Sequence, residues 1–294
     1  GWVGALSVAG VGLLALRRGM RPLVAIGAAA ALTAWVVVPG LPPGGPEMIV
    51  LDVGQGDAIL LRDPAGTAVL FDGGPDPGVL RRALASRRID RIDLLVMTHE
   101  HADHLTGLVG ITRYASVARA WVAPGLAEDG VAGEVLAELR TAGTLIEAPR
   151  VGWSASVGSF SLEVLGPRRR YASPNDGSLV MTVTARGATA LLAGDIEVIA
   201  QREIGPVHAD ILKVPHQGAA TSDPEWLGAL GASVAVISVG PNDYGHPSEA
   251  VIAVLESGGA EVLRTDRDGD VTVRFDQVGA AAVAGHTTAL RWLP

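Results

Sequence analysis

The 294-residue chain has no cysteine. That excludes a disulfide framework, a cysteine-ligated zinc or iron–sulfur site and a thiolate nucleophile. It also suits an oxidising compartment, since no thiol needs protection there. Lysine is nearly absent: Lys213 is the only one, and arginine carries the remaining basic charge. Aromatic residues make up 4% of the chain, too few for an extended base-stacking platform. Charged residues reach only 18%, and the formal net charge is −8. A protein held to nucleic acid by overall charge is normally basic, so phosphate chemistry here needs a local positive centre, either a metal or a small arginine cluster. The 48% hydrophobic content excludes a disordered chain.

The positive mean hydropathy, +0.33, has its source at the N-terminus. Residues 1–16 carry no charge, Arg17, Arg18 and Arg21 follow, and residues 23–38 are again uncharged. The second run nearly reaches the ~20 apolar residues that a bilayer-spanning helix needs, and the first reads as the cut end of a longer helix. Trp2 and Trp35 suit interfacial positions. The expectation is two transmembrane-like helices over residues 1–41, with the arginine loop cytoplasmic and the rest extracytoplasmic at the cell membrane. Two buried helices of a soluble protein are the alternative.

Pro and Gly at 39–46 mark a hinge. Beyond it, residues 47–277 read as one domain and 278–294 as a tail. Short apolar strands are expected at 48–53, 58–61, 67–71, 92–97, 116–122, 160–165, 179–185, 190–192, 210–214 and 235–239, with helices at 79–86, 132–142, 224–230 and 248–257. Strands mixed with helices in this way imply stacked α and β layers.

Of seven histidines, three fall in Thr98-His99-Glu100-His101-Ala102-Asp103-His104, directly after the apolar run 92–97. A loop at the end of a buried strand can turn His99 and His101 toward one cation and Asp103 with His104 toward another. Imidazoles and a carboxylate are the ligand set of catalytic zinc, manganese or iron.

This H-x-H-x-D-H motif resembles the metallo-β-lactamase superfamily, which implies a four-layer αββα sandwich with metals at one edge between the sheets. Leu70-Phe71-Asp72-Gly73-Gly74 is similar to the family's early Asp, which orients the metal loop. Leu191-Leu192-Ala193-Gly194-Asp195 resembles the strand ending in the metal-bridging Asp. Gly245-His246-Pro247 resembles the last metal-ligand His. A narrower resemblance is to the C-terminal domain of the ComEC family of DNA-uptake channels. It rests on Asp52-Val53-Gly54-Gln55-Gly56-Asp57, Asn175-Asp176-Gly177-Ser178, Leu212-Lys213-Val214-Pro215-His216-Gln217-Gly218 and Tyr244-Gly245-His246-Pro247. There are two departures. The family's third-motif His is missing, since no histidine occurs from 105 to 207, and the usual His-His-Gly-Ser reads His216-Gln217-Gly218-Ala219.

The resemblance implies two divalent cations, Mn²⁺ or Zn²⁺, held by His99, His101, Asp103, His104, Asp195 and His246, with only one tightly bound if nothing replaces the missing His. His216 or Asp176 are candidates to replace it. Paired cations of this kind lower the pKa of water and clamp both oxygens of an in-line displacement. Asp103 and Asp195 are then catalytic. His216 can donate a proton to the leaving oxygen or hold phosphate. Lys213 on the preceding strand either contacts phosphate or sits at the sheet edge. Asn175 and Ser178 bond to the site loop or to substrate. Arg168, Arg169 and Arg170, beside Tyr171, can track a strand of nucleic acid. Asp57 and Asp72 are structural supports. The expected function is a metal-dependent phosphodiesterase, a nuclease acting on single- or double-stranded DNA during competence-type uptake, with the membrane and the remaining uptake machinery as partners. The alternatives are another hydrolase of the same fold (phosphocholine esterase, lactonase or β-lactam hydrolase) and a degenerate DNA-binding domain.

Overall fold

The computed structural model describes residues 42–275 and 282–286. The two apolar N-terminal segments, and most of the stretch read as a tail, lie outside the described residues. Among the described residues no helix is long and apolar enough to cross a membrane. The chain divides into a unit of residues 1–41 with Ser86–Arg88 and a unit of the remainder. The fold is that of the second unit.

In chain order the strands are β1 (Glu47–Val50), β2 (Ile59–Arg62), β3 (Ala68–Phe71), β4 (Arg91–Ile92), β5 (Leu94–Met97), β6 (Ser116–Val117), β7 (Arg119–Val122), β8 (Leu145–Glu147), β9 (Ser154–Val157), β10 (Phe160–Gly166), β11 (Val180–Ala185), β12 (Ala188–Leu192), β13 (Ile211–Lys213), β14 (Val234–Ile237), β15 (Glu261–Arg264), β16 (Asp270–Arg274) and β17 (Ala282–His286). The helices are α1 (Pro77–Ser86), α2 (Ala102–Leu105), α3 (Gly130–Thr141), α4 (Val198–Ile204), α5 (Pro224–Ala229), α6 (Glu249–Ser257) and α7 (Thr265–Asp268).

Two large sheets result, in the orders β17-β16-β1-β2-β3-β5-β7-β8 and β15-β14-β13-β12-β11-β10-β9, and β4 and β6 form a separate parallel pair. Each large sheet is antiparallel in one half and parallel in the other. In the first, β3, β5, β7 and β8 are parallel, and in the second, β12, β13, β14 and β15 are. Parallel neighbours need a crossover; α1 and α3 supply two in the first sheet, and α4, α5 and α6 supply three in the second.

The two-residue period of a strand explains the layering. In β1 and β5, Met48, Val50, Leu94 and Val96 face inward, where they meet Phe160, Leu162, Met181 and Leu192 of the other sheet. Their alternates Ile49, Leu95 and Met97 face outward onto Leu80 and Leu84 of α1 and Val135 and Leu139 of α3. Leu191, Leu212 and Ala235 likewise turn outward onto Ala200, Trp226, Leu227 and Leu255 of α4, α5 and α6. Strands buried on both faces must be apolar throughout, which is why they stood out as uninterrupted runs. The order is helix, sheet, sheet, helix, the four layers expected. Within the stretch read as a tail, β17 pairs antiparallel with β16 and extends the first sheet.

Candidate metal centre

The C-terminal ends of parallel strands from both sheets converge. In parallel sheets this is where chains leave for their crossovers and where ligands bind. Asp72 follows β3, His99 follows β5, Asp195 follows β12, His216 follows β13 and the 239–246 loop follows β14.

The loop carrying His99 to His104 is pinned by close backbone approach. Gly107 N–H donates to Gly74 O at 2.7 Å and Gly73 N–H to His104 O at 2.7 Å. A Cβ at Gly107 would lie 1.8 Å from Gly73 O, and one at Gly56 2.0 Å from Asp103 O. Only glycine permits either contact.

Buried Asp72 sets the imidazoles. It sits in the left-handed region at φ 54°. Its carboxylate accepts from Thr98 N–H (2.8 Å), Thr98 Oγ1 (2.6 Å) and His104 Nδ1 (2.8 Å). A carboxylate only accepts, so His104 carries a proton on Nδ1 and turns Nε2 into the site. The Thr98 hydroxyl has spent its one proton on Asp72, so it accepts from His99 Nδ1 at 3.1 Å, which leaves His99 Nε2 unprotonated. One carboxylate thus orients both rings, one directly and one through a hydroxyl, as outer partners of metal-bound histidines do.

The two Nε2 atoms meet Asp195. His104 Nε2 lies 3.1 Å and His99 Nε2 3.9 Å from Asp195 Oδ2. His101 Nδ1 is 3.1 Å from His99 Nε2, and Asp103 Oδ2 is 3.9 Å from His104 Nε2. Ligand atoms of His99, His104 and Asp195, all buried, lie within 4.8 Å of one another. The structure therefore brings together five of the six residues named as metal ligands. The sixth, His246, joins through His216, with ring centroids 5.3 Å apart.

Electrostatics fit a cation. Burial opposes charge on His104, but Asp195 and Asp72 outweigh it and raise its pKa well above the ordinary value. Burial likewise opposes charge on Asp195, and the His104 charge and hydrogen bond hold it well below the carboxylate range. Burial, then the neighbouring His104 charge, pushes His99 well below an ordinary histidine. A proton on His104 Nε2 thus stands where a divalent cation would bind. Among the described residues five buried side-chain oxygens or nitrogens have no hydrogen-bond partner: four belong to Asp57, Asn175, His216 and His246, and the fifth is the Tyr114 hydroxyl. Buried polar atoms are normally paired, so this concentration around one cluster, with its nitrogen and oxygen donors, fits a bound divalent cation.

Several expected roles change. Lys213 is fully buried, ion-paired with Asp57 and 3.9 Å from Asp195 Oδ1. A side chain without exposed surface cannot hold phosphate, so its charge serves the two carboxylates. Burial pushes Asp57 up to about 6, with Lys213 opposing the rise. The Asp57 backbone carbonyl accepts from Gly74 N–H at 2.8 Å. Ser178, also fully buried, lies 3.3 Å from His99 Nδ1 and accepts from Asp195 N–H at 3.2 Å. It ties the two halves of the cluster together and does not reach substrate. Asp176 Oδ1 accepts from Glu197 N–H and Ala200 N–H at the start of α4. Arg169 is held by Glu203 at 2.9 Å and stacks 4.3 Å over Tyr171. Arg168 donates to Ile204 O at 3.3 Å. The arginine run, exposed, is thus partly spent on α4, while Arg170 is exposed beside it.

Thr98, Gln217 and Glu197 were not foreseen in these roles. Gln217 Nε2 donates to Asp195 Oδ1 at 3.2 Å and Oδ2 at 3.3 Å, in the place where the family pattern has a second histidine. His216 and Gln217 both adopt φ 49°, a strained conformation of the kind found at functional sites. His216 Nδ1 lies 3.2 Å from Glu197 Oε1, without hydrogen-bond alignment.

The profile of the metallo-beta-lactamase superfamily matches residues 51–239, a span that contains every member of this cluster except His246. The chain belongs to the metallo-beta-lactamase superfamily. Within it, the ComEC resemblance is matched by two curated relatives. "ComE operon protein 3" of Bacillus subtilis is 29% identical over 264 residues, 81% of this chain and 34% of that protein. "Competence protein ComA" of Neisseria gonorrhoeae is 28% identical over 254 residues, 82% of this chain and 34% of that protein. The chain therefore spans about a third of the length of these relatives. Among solved structures, the metallo-beta-lactamase fold protein YhfI from Bacillus subtilis superposes with a TM-score of 0.56 at 12% identity, covering 78% of this chain and 99% of that one. That likeness shows the shared fold.

Proposed function

We propose that this superfamily member is a metal-dependent phosphodiesterase that cuts DNA during competence-type uptake. The observation that carries the reading is Asp195 set between His99 and His104, whose outward nitrogens are fixed by Asp72 and Thr98. The competence relatives support DNA as the substrate class. Divalent cations, when bound by His99, His101, Asp103, His104, Asp195 and His246, supply a low-pKa water and charge stabilisation at phosphate.

The chain's own residues do the rest. Lys213, ion-paired with Asp57, sets its charge 3.9 Å from Oδ1 of Asp195. His216, partly exposed and beside Glu197, is placed to give a proton to the leaving oxygen. A local cation centre reconciles a net charge of −8 with a polyanionic substrate. The apolar segments of residues 1–41 anchor the domain, which faces out of the cell.

The test is a Mn²⁺ titration with linear and circular single-stranded DNA. Cleavage that disappears in Asp195→Ala supports the reading. Full metal loading with turnover of a lactam, a lactone or a phosphocholine ester instead would move the substrate class. DNA retention without turnover of any substrate would make the domain a binding module. For topology, protease added outside intact cells should remove residues after 46, and protection would refute the orientation.

A further inference from the structure

Tyr244 stands in solvent two residues before His246. It is 78% exposed, yet its ring lies only 5.8 Å from that of His246, the planes 36° apart. An exposed tyrosine on an ordinary loop would be loosely placed, but this loop is braced. Asn242 Nδ2 donates to Gly240 O at 2.9 Å and His246 O at 2.8 Å, while Asn242 Oδ1 accepts from Tyr244 N–H and His246 N–H at 3.1 Å each. Both ends of one amide are spent on holding the turn. The far side is locked by Ser248 N–H donating to Gly218 O at 2.8 Å. The other tyrosines differ: the Tyr171 hydroxyl is bound to Glu203 and its ring covered by Arg169, and the Tyr114 hydroxyl is buried.

We propose that Tyr244 is a nucleobase-stacking subsite, which takes the base next to the phosphate being cut. This rests on the phosphodiesterase reading. The ring sits two residues from His246, whose ring also meets that of His216. Most of its surface is open, and its backbone is fixed in advance, so little ordering is needed on binding. A protein of net charge −8 gains little from the DNA backbone away from its cations, whereas a base is neutral and offers a flat π-face. Such a face is free in a single strand and covered in a duplex. Tyr244 therefore selects single-stranded DNA.

The measurement is KM and kcat of the Mn²⁺-loaded chain on a single-stranded thymidine 12-mer and on a base-free 12-mer of the same phosphates. Tyr244→Ala should raise KM on the thymidine strand roughly tenfold, the size of one lost stack. Tyr244→Phe should restore it to within about twofold. On the base-free strand wild type and Tyr244→Ala should share one KM. Equal KM on the thymidine strand, or an equal loss on both strands, overturns the subsite while the hydrolase reading stands. If the wild type cuts neither strand, that reading falls and the subsite with it.

Discussion

Asp72 has almost no exposed surface, yet the buried imidazoles take their orientation from it. Asp72→Asn replaces an acceptor by a group that also donates and frees the His104 ring. Manganese affinity, read by isothermal titration, should fall about 10–100-fold. Lys213 tests whether a buried charge is structural. Lys213→Met leaves buried Asp57 without its ion-pair partner, and unfolding in urea should show a loss of about 3–5 kcal/mol. The double change Lys213→Met with Asp57→Leu should recover much of it, because an apolar pair needs no partner. A phosphate-binding lysine would show no such rescue. His99 to His104 were legible in the sequence because they cluster, and Asp195 and His246 because they sit in recognisable strand-end motifs. Thr98 and Gln217 were not, since their roles exist only when strand ends distant in sequence meet. For the same reason Lys213 stayed between a phosphate contact and a sheet-edge position, and only the fold shows it buried beside Asp57.

Elements buried on both faces were the legible ones. β5 is apolar along its length and β12 at all but Thr189, and their expected bounds fall within two residues of those found. The missed elements lack that signal. β9 is Ser-Ala-Ser-Val, β8 is an edge strand, and α4 is seven residues with three polar or charged positions. Their place is set by the sheet they complete or cover. The region 116–122 is split, with β6 pairing β4 and β7 joining the first sheet. One side chain on α3 makes an element-level test. Glu138 accepts from Gly110 N–H and Thr112 N–H at 2.8 Å each, and from the Thr112 hydroxyl, so it holds the turn that follows the metal loop. Burial opposes its charge, but these hydrogen bonds win and lower its pKa below 4.5. Its stabilisation is therefore full above that ordinary value and fades as pH falls through the lowered one. Glu138→Ala should cost about 2 kcal/mol at pH 7. The gap to wild type should narrow in urea titrations below about pH 4.

For the whole molecule, folding and cation binding are linked. The ligands come from both sheets, so the centre exists only when the sandwich is closed. Manganese at about 100 times its Kd should add about 2.7 kcal/mol to stability, seen as a higher melting temperature that chelation reverses. The cation must displace the His104 proton. Because that proton is held above the ordinary histidine range, affinity should rise with pH through and beyond neutrality, with proton release measurable in buffers of different ionisation enthalpy. The most direct measurement is anomalous diffraction at the manganese edge from crystals soaked in Mn²⁺. Density between His99, His104 and Asp195, lost in Asp195→Ala, is the predicted result. No anomalous peak there under saturating manganese or zinc would contradict the account.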